Sequence, residues 1–422
     1  MDHTVLDVAV IGAGHAGLGI SACLKQHALN HIVFERGRVG ETWRTQRWNS
    51  FVMNTANKTN LLPGQKYTGN APDAFCTARE FAASLAEYAA ENRLPVLENT
   101  KVISVEKPEG DRFFSITVSE NGTEKKYLSK QVVVASGCQN EKKIPDFAQN
   151  ISSGILQLHT GEYRHAQQLP EGAALVVGSA QSGTQIAEDL ILAGKKVYLA
   201  TSMVARVPRR YRGKDIVDWL LMLGFFDLKT EDVTDPKVFA AKVPLLSGVG
   251  ELGHTLSLQS LAKMGVTILG KMTDADPHNA FLSPGAQEHV KFGDGFSQKA
   301  KAMVDEFIEK KQITAPSPEV EIADMPDLTA SCASSATSLN FKEHNITSII
   351  WTTGFNGDFS YLKFPVFDSN GSPVHKNGLS EIKGLYFLGL PWLRKRGSGM
   401  VLGINDDAPF ITQEILTAQH GK

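Results

Sequence analysis

The chain has 422 residues, of which 42% are hydrophobic and 21% charged, and its net charge at pH 7 is −2. This composition is typical of a globular protein with a full core, and the length predicts two domains or one domain with a large insertion. The near-neutral charge, without a basic run that contains interleaved aromatic residues, excludes nucleic acid as an expected partner.

The cysteines and the apolar stretches exclude further classes. Cys23, Cys76, Cys138 and Cys332 lie far apart, so we expect no redox-active disulfide and no metal site. No apolar stretch approaches the ~18 residues that span a bilayer, and the N-terminal apolar run ends in a glycine turn, unlike a signal peptide. We therefore expect a cytoplasmic protein without a membrane span.

The first motif is a glycine turn. Apolar residues 8–11 predict a buried strand that leads into Gly12, Gly14 and Gly17 and then a helix. Gly12 permits the tight turn, Gly14 lets the backbone approach a pyrophosphate, and Gly17 lets helix and strand pack closely. A second strand ends at Glu35, about 20 residues further on, where an acid bonds a ribose hydroxyl. We predict a dinucleotide site, the alternative being an empty strand–turn–helix, with contacts from Gly12, Ala13, Gly14, His15, Ala16, Gly17, Glu35 and Arg36.

The next segment mixes glycine, aromatic and arginine residues without periodicity. It contains Gly40, Glu41, Thr42, Trp43 and a second tryptophan, Trp48. We interpret it as a loop pressed against a flat ligand, the alternative being an ordinary surface loop. Residues 79–94 then predict an amphipathic helix, with Thr77 as its N-cap.

Alternating strands follow the helix. Residues 101–106, 113–118 and 123–128 predict a three-stranded flap, with the hairpin signal Asn121-Gly122 between the last two strands. Residues 132–137 predict a buried strand. This order favours a flavoprotein dinucleotide domain over a simple dehydrogenase, and we place Val102, Ala135 and Gly137 among the cofactor contacts.

The glycine pattern then repeats. Gly178 and Gly183 follow another apolar run, and Ala180 replaces the middle glycine. After the next strand, 196–200, no acid follows; instead come hydroxyl side chains and then Arg206, Arg209, Arg210 and Arg212. Such groups suit a 2′-phosphate and favour NADPH over NADH, the alternative being a solvated basic loop. The predicted contacts are Gly178, Gln181, Ser182, Gly183, Thr201, Ser202 and Arg209.

The remainder of the chain completes the architecture. Residues 211–312 form an elaboration whose apolar run 219–226 we interpret as core or pocket, the alternative being a membrane-grazing segment. Residues 297–312 predict a helix and 313–340 a return linker. Strands at 348–354 and 384–389, and a last helix opening at 398–407 with Asn405, complete the first domain.

We therefore predict an α/β fold with two Rossmann-like dinucleotide-binding domains, the second inserted into the first. Residues 1–150 and 336–422 form the FAD-binding domain, and residues 151–335 form the NAD(P)H-binding domain.

These motifs resemble those of bacterial flavin-containing monooxygenases over the whole chain. The shared marks are the two glycine turns, Gly40-Glu-Thr-Trp43, Ala135-Ser-Gly137 and Thr352-Thr-Gly-Phe355. His159-Thr-Gly-Glu-Tyr163-Arg164 is similar to the second half of the family fingerprint. The first half departs from it, because Ser152 replaces a phenylalanine and four residues separate Gly154 from His159 instead of three.

The resemblance implies roles for particular residues. Gly12, Gly14, Gly17, Glu35 and Trp43 would contact FAD, and Gly178, Ser182 and Gly183 would contact NADPH. Asn54 matches the catalytic asparagine near the flavin C4a, although the proline-lysine that often follows it is absent; the alternative is an asparagine that holds a turn. His159 would be a hinge or domain-linking residue.

The implied activity is an FAD- and NADPH-dependent monooxygenase. NADPH would reduce FAD, O₂ would form a C4a-hydroperoxide, and one oxygen atom would pass to a small organic substrate. Tyr163 stands where Baeyer–Villiger enzymes have tryptophan, which favours N- or S-oxygenation; Baeyer–Villiger and aromatic-side-chain oxidation stay open. The alternative is an NAD(P)H-dependent flavin oxidase or reductase, or a nucleotide-sensing flavoprotein. The oligomeric state, a homodimer among the options, also stays open.

Overall fold

A computed structural model describes residues 5–108, 110–241, 243–327 and 332–420. The chain opens with the strand–helix–strand unit β1 (Leu6–Ile11), α1 (His15–Gln26) and β2 (His31–Phe34). Helices α2 (Glu41–Thr45) and α3 (Ala78–Glu91) follow, and then come strands β3 (Val96–Leu97), β4 (Thr100–Glu106), β5 (Phe114–Glu120), β6 (Thr123–Val134) and β7 (Glu141–Lys142).

Helix α3 begins where the sequence predicts it. The Thr77 hydroxyl accepts a hydrogen bond from the Glu80 N–H at 3.2 Å, and the Glu80 carboxylate accepts one from the Thr77 N–H at 2.7 Å. This reciprocal capping box fixes the first turn. Phe81, Leu85 and Tyr88 are buried on one face of the helix, which confirms the predicted amphipathic pattern.

Strand β6 is one continuous strand, whereas the sequence pattern predicts two strands, at 123–128 and 132–137. Its first half pairs antiparallel with β5 and its second half pairs parallel with β1. Ser129 belongs to both halves, because it lies opposite Phe114 on β5 and opposite Leu6 on β1. The flap and the Rossmann sheet therefore share one strand, in the order β3-β2-β1-β6-β5-β4.

The second domain is built around a parallel sheet. Its elements are β8 (Leu156–His159), β9 (Ala173–Val177), α4 (Gln181–Leu192), β10 (Val197–Ala200), β11 (Arg210–Tyr211), β12 (Lys214–Asp215), α5 (Ile216–Met222), α6 (Lys237–Ala240), α7 (Leu258–Lys263), β13 (Thr267–Leu269), β14 (Met272–Ala275), β15 (Asn279–Leu282), α8 (Ala286–Lys311), β16 (Ser338–Asn340) and β17 (Ile346–Trp351). The main sheet has the order β13-β10-β9-β17-β8.

The predicted return to the first domain at residue 336 therefore falls inside the second domain, because β17 lies between β9 and β8. The chain returns at β18 (Phe355–Asn356), which pairs antiparallel with β7. It then adds β19 (Leu385–Phe387) to β6 in parallel and ends with α9 (Ile404–His420).

Two predicted segments of the second domain differ from the structure. Helix α8 begins at Ala286 and not at residue 297, because Gly293 and Gly295 conceal its first turns in the sequence. The predicted linker 313–340 carries β16 and the buried Asp324.

The apolar run 219–226 contributes Trp219 to a buried cluster with Val207 and Val304, as predicted. Within the described ranges, no helix has both the length and the hydropathy to cross a membrane.

Candidate functional site

The two glycine turns have the same geometry. Gly12 and Gly178 have φ of +100° and +108°, a region that favours glycine. A Cβ on Gly17 would lie 1.8 Å from the Gly12 carbonyl oxygen, and one on Gly183 would lie 1.9 Å from that of Gly178. Each helix therefore packs on its turn so closely that no side chain fits.

The middle position of each motif is different. A Cβ on Gly14 would meet nothing within 4 Å. Gly14 and Ala180 have nearly the same backbone conformation, with φ of −81° and −74° and ψ of −172° and −174°. Ala180 is therefore unstrained, and the methyl group changes only the space in front of the turn.

A cavity of about 410 Å³ extends from the first glycine turn to the segment before α9. The predicted residues in its wall are Gly12, Gly14, His15, Ala16, Glu35, Arg36, Gly40, Glu41, Thr42, Trp43, Asn54, Val102, Ala135 and Gly137. Ala13 and Gly17 belong to the same turn without lining the cavity. The cavity thus brings together distant parts of the first domain.

Glu35 is held at one side of this cavity. Its carboxylate accepts hydrogen bonds from the Ala13 N–H at 2.8 Å and from the Gly37 N–H at 2.9 Å. Burial raises the pKa of Glu35, and the two N–H donors act in the opposite direction. A carboxylate has about four acceptor positions, so two stay available for ribose hydroxyls.

His15 supplies an uncharged polar group to the cavity wall. Burial lowers its pKa to about 4, so the imidazole is neutral at physiological pH. Its Nε2 atom is buried and has no hydrogen-bond partner among the described residues. A buried polar atom without a partner is uncommon, and a ligand in this cavity would satisfy it.

The side chains of the loop that follows Gly40 pack in both domains. The Trp43 ring lines the cavity, and the Arg47 guanidinium lies 4.7 Å from its centroid. Burial lowers the pKa of Arg47 to about 10, still far above neutrality. Trp48 is buried in the core of the second domain with Ile186, so it is not part of the flat-ligand loop that the sequence predicts.

Sequence reasoning missed several residues of the cavity wall. These are Thr55, Asn60, Thr100, Lys101, Cys138, Gln139, Asn140, Asp358, Tyr361 and Pro391. Other wall residues lie inside predicted features: Arg47, Phe51 and Met53 in the loop expected against a flat ligand, Ser136 in Ala135-Ser-Gly137, Gly389 at the end of the predicted strand 384–389, and residues 399–402 in the predicted opening of the last helix. Asn405 lies outside the wall, because its amide donates to the Leu61 carbonyl at 2.9 Å.

Asn54 lies where the two domains meet. Its side-chain Oδ1 accepts a hydrogen bond from Gln185 Nε2 at 2.9 Å, and its backbone carbonyl accepts one from Arg209 Nη1 at 2.9 Å. Both donors belong to the second domain. The predicted catalytic amide of Asn54 thus lines the cavity of the first domain and is held in place by the second domain.

Three predicted NADPH contacts have other partners in the structure. Gln181 forms a two-point pair with the Leu246 peptide. The Thr201 hydroxyl is buried, donates to the Leu269 carbonyl at 2.6 Å and lies 2.8 Å from His289 Nδ1. Arg209 is buried against Asp215, with Nε 2.8 Å from the carboxylate. Gly178, Ser182 and Gly183 form the turn and first helical residues of α4, as predicted.

The other arginines of the predicted phosphate site are dispersed. Arg206 is buried between Asp294 and Asp324, and Arg212 pairs with Asp305. Arg210 donates to the Gly213 carbonyl at 3.0 Å. The basic residues that favour NADPH in the sequence therefore act mainly in structural ion pairs.

His159 links the two segments in which the chain passes from one domain to the other. Its Nε2 donates to the Gly354 carbonyl at 2.8 Å, and its Nδ1 accepts from the Gly161 N–H at 3.2 Å. Burial lowers its pKa, which agrees with this neutral form. Tyr163 is buried and its hydroxyl donates to Asp189 on α4, so neither residue lines the cavity.

Comparison with known proteins identifies the family. A family model described as pyridine nucleotide-disulphide oxidoreductase matches residues 9–216. The chain is 32% identical to an uncharacterized CzcO-like oxidoreductase of Geobacillus kaustophilus, over 99% of both proteins. The chain belongs to this CzcO-like oxidoreductase family. It is also 26% identical to the probable indole-3-pyruvate monooxygenase YUCCA1 of Arabidopsis thaliana, over 96% of this chain and 88% of that protein.

Solved structures confirm the predicted fold. A flavin-containing monooxygenase from Stenotrophomonas maltophilia matches with a TM-score of 0.64 and 16% identity, over 98% of both chains. The bacillithiol disulfide reductase Bdr of Staphylococcus aureus matches with a TM-score of 0.61 and 11% identity, over 99% of both chains. OTEMO in complex with FAD and NADP matches with a TM-score of 0.56 and 15% identity, over all of this chain and 87% of that one. The two-domain α/β architecture of flavin-containing monooxygenases is therefore that of this chain.

Proposed function

We propose that this protein is an FAD- and NADPH-dependent monooxygenase that places one oxygen atom from O₂ on a small organic substrate, with N- or S-oxygenation favoured. The observation that carries this proposal is the position of Asn54, a cavity residue of the first domain that the second domain holds in place. A reaction that uses two nucleotides needs both domains to meet at one point, and Asn54 is at such a point.

The first domain has residues that fit FAD. The open space in front of Gly14 and the N–H groups at the start of α1 suit a pyrophosphate, Glu35 suits a ribose, and the unpartnered His15 Nε2 suits a further polar contact. When bound, the flavin accepts a hydride from NADPH and activates O₂. The chain itself binds and orients the nucleotides and the substrate. It also excludes water from the cavity, where Met53 and Val401 are buried apolar wall residues.

The second domain has a turn that fits NADPH. The N–H groups at the start of α4, including that of Ser182, suit its pyrophosphate. NADPH is favoured over NADH by the likeness to a structure that contains NADP, and the hydroxyl of Ser202, which follows β10, is the group that we propose for its 2′-phosphate.

The test is the fate of oxygen in the FAD-loaded protein. The protein is given NADPH and isotopically heavy dioxygen with a thioether, a tertiary amine and a cyclic ketone in separate reactions, and the products are analysed by mass spectrometry. We expect a heavy oxygen atom in the sulfoxide or the N-oxide. The Asn54→Ala variant should lose coupling of NADPH to product, whereas the exposed-residue control Asn370→Ala should keep it.

The alternative is an NAD(P)H-dependent flavin oxidase or reductase. It predicts one hydrogen peroxide per NADPH with every substrate and no heavy oxygen in any product, a result that would refute the monooxygenase proposal. Disulfide reduction fits less well, because all four cysteines are free and burial raises the pKa of Cys138, the one in the cavity wall.

A further inference from the structure

The second domain determines which end of the Asn54 amide faces the cavity. The chain of contacts starts at the Leu246 carbonyl, which accepts hydrogen bonds from Gln181 Nε2 and, at 3.3 Å, from Gln185 Nε2. A backbone carbonyl can only accept. The end of the Gln185 amide that faces Leu246 must therefore be the nitrogen.

The same Gln185 nitrogen fixes the next amide. Gln185 Nε2 lies 2.9 Å from the Asn54 side chain, and a donor nitrogen must face the acceptor oxygen of that side chain. Oδ1 therefore points to Gln185. Among the described residues Asn54 Nδ2 has no partner, and because Asn54 lines the cavity, its N–H groups are the polar atoms left for a ligand.

The reversed arrangement is unfavourable for two reasons. It would set Gln185 Oε1 against the Leu246 carbonyl oxygen, so that two acceptors would face each other. The Leu246 peptide cannot rotate away, because its N–H donates to Gln181 Oε1 at 3.1 Å. In the observed arrangement Gln185 Oε1 is buried without a partner in the described chain, so the side chain is held entirely through its nitrogen.

The backbone of Asn54 is also held from the second domain. Arg209 Nη1 donates to the Asn54 carbonyl at 2.9 Å. Gly248 approaches the preceding residue so closely that a Cβ there would lie 2.0 Å from the Met53 carbonyl oxygen. With the backbone fixed on both sides, the side-chain amide is the part of Asn54 whose orientation is left for Gln185 to set.

We propose that Gln185 is a positioning residue that keeps Asn54 in the donor orientation, so that the cavity presents two N–H bonds to a hydrogen-bond acceptor of the bound ligand, such as a ring nitrogen or carbonyl oxygen of the flavin. This inference rests on the proposed function. Gln181 and Gln185 lie one turn apart on α4, and α4 begins at the second glycine turn. The helix that would hold one nucleotide therefore also sets the hydrogen-bond polarity beside the other.

Four variants of the FAD-loaded protein test the proposal. Gln185→Glu has nearly the same shape but only accepts, Gln185→Leu does neither, and Asn54→Asp keeps an acceptor for Gln185 while it removes the cavity donor. The control, Gln413→Glu, makes the first of these changes at an exposed position on α9. The readouts are hydrogen peroxide released per NADPH and the midpoint potential of the bound flavin.

We expect the three site variants to lose coupling by about tenfold, the effect of one hydrogen bond to a buried group, and to shift the flavin potential to more negative values. The control should change neither readout. In an Asn54→Ala background, Gln185→Leu should have no further effect, because the group that it orients is gone.

Additive effects of Gln185→Leu and Asn54→Ala would assign Gln185 a merely structural role and overturn the inference. An unchanged potential in Asn54→Asp, whose interface with Gln185 is intact, would overturn it as well. Failure of the proposed function has a different signature, since the wild type would then form no oxygenated product, and the potential shift would still report the orientation of Asn54.

Discussion

A single methyl group should have opposite consequences at two glycines of the first turn. In Gly17→Ala the new Cβ would lie 1.8 Å from the Gly12 carbonyl oxygen and must move to at least 3.0 Å, so α1 and the turn must separate. Overpacking of this size costs about 2–3 kcal/mol, which in a chain of 422 residues should lower the Tm by roughly 2–4 °C. In Gly14→Ala the Cβ meets nothing, so the Tm should stay the same or rise slightly.

The affinity for FAD should depend on the other glycine, Gly14. Gly14→Ala places its methyl group where we propose that the pyrophosphate lies, so the Kd for FAD should weaken by about tenfold or more, which corresponds to about 1.4 kcal/mol. The assay pairs thermal unfolding of the flavin-free protein with titration of flavin fluorescence. Ala180→Gly is the matched control and should leave the Tm within about 1 °C. A stable Gly17→Ala variant, or a Gly14→Ala variant with unchanged FAD affinity, would refute the reasoning.

Three further predictions concern stability. Asp324→Asn should lower the free energy of unfolding by about 2 kcal/mol or more, because it weakens a buried pair with Arg206; urea denaturation measures this, and an unchanged midpoint would contradict it. Thr77→Ala should cost about 1 kcal/mol through loss of the α3 capping box, seen in the same assay; Thr417→Ala, at an exposed position, is the control. The hydrogen bond to Glu188 raises the pKa of His254, so this pair should stabilise the protein fully below the unfolded-state pKa of the histidine and progressively less as pH rises through the folded-state pKa. The Tm difference between wild type and His254→Gln should shrink with increasing pH, and a difference that grows would contradict the assignment.

The sequence predicts best the features that depend on neighbouring residues. The glycine turns, the N-cap at Thr77 and the acid at Glu35 each rest on local patterns in the chain, and the structure has all of them. Local sterics and local hydrogen bonds leave few alternatives for such patterns.

Assignment of a strand to a sheet was less predictable. β17 is followed by Thr352-Thr-Gly, which is similar to Ala135-Ser-Gly, and this similarity favours the first domain. A continuous apolar strand fits any parallel sheet that is covered on both faces, and only the neighbours β8 and β9 show that β17 belongs to the second domain.

The polar contacts of the site were predictable in type and not in partner. Arg206 and Arg212 follow a strand in the position expected for phosphate ligands, yet their carboxylate partners Asp294, Asp324 and Asp305 lie far along the chain. Gln185 has no local signature either, because a glutamine on a helix reveals nothing about an asparagine 131 positions away.

The pairing of β7 with β18 brings together the two ends of the segment that is inserted into the first domain. Lys142 lies opposite Phe355 in an antiparallel register, and the next residues inward, Lys143 and Gly354, are joined by a hydrogen bond of 3.1 Å. Everything from residue 143 to residue 354 thus leaves and re-enters the first domain at one place. An antiparallel pair of strands can be closed by a two-residue loop. If residues 143–354 were replaced by such a loop, β7 and β18 would form a β-hairpin and the first domain would be one continuous chain. For the same reason the two ends of the second domain lie side by side.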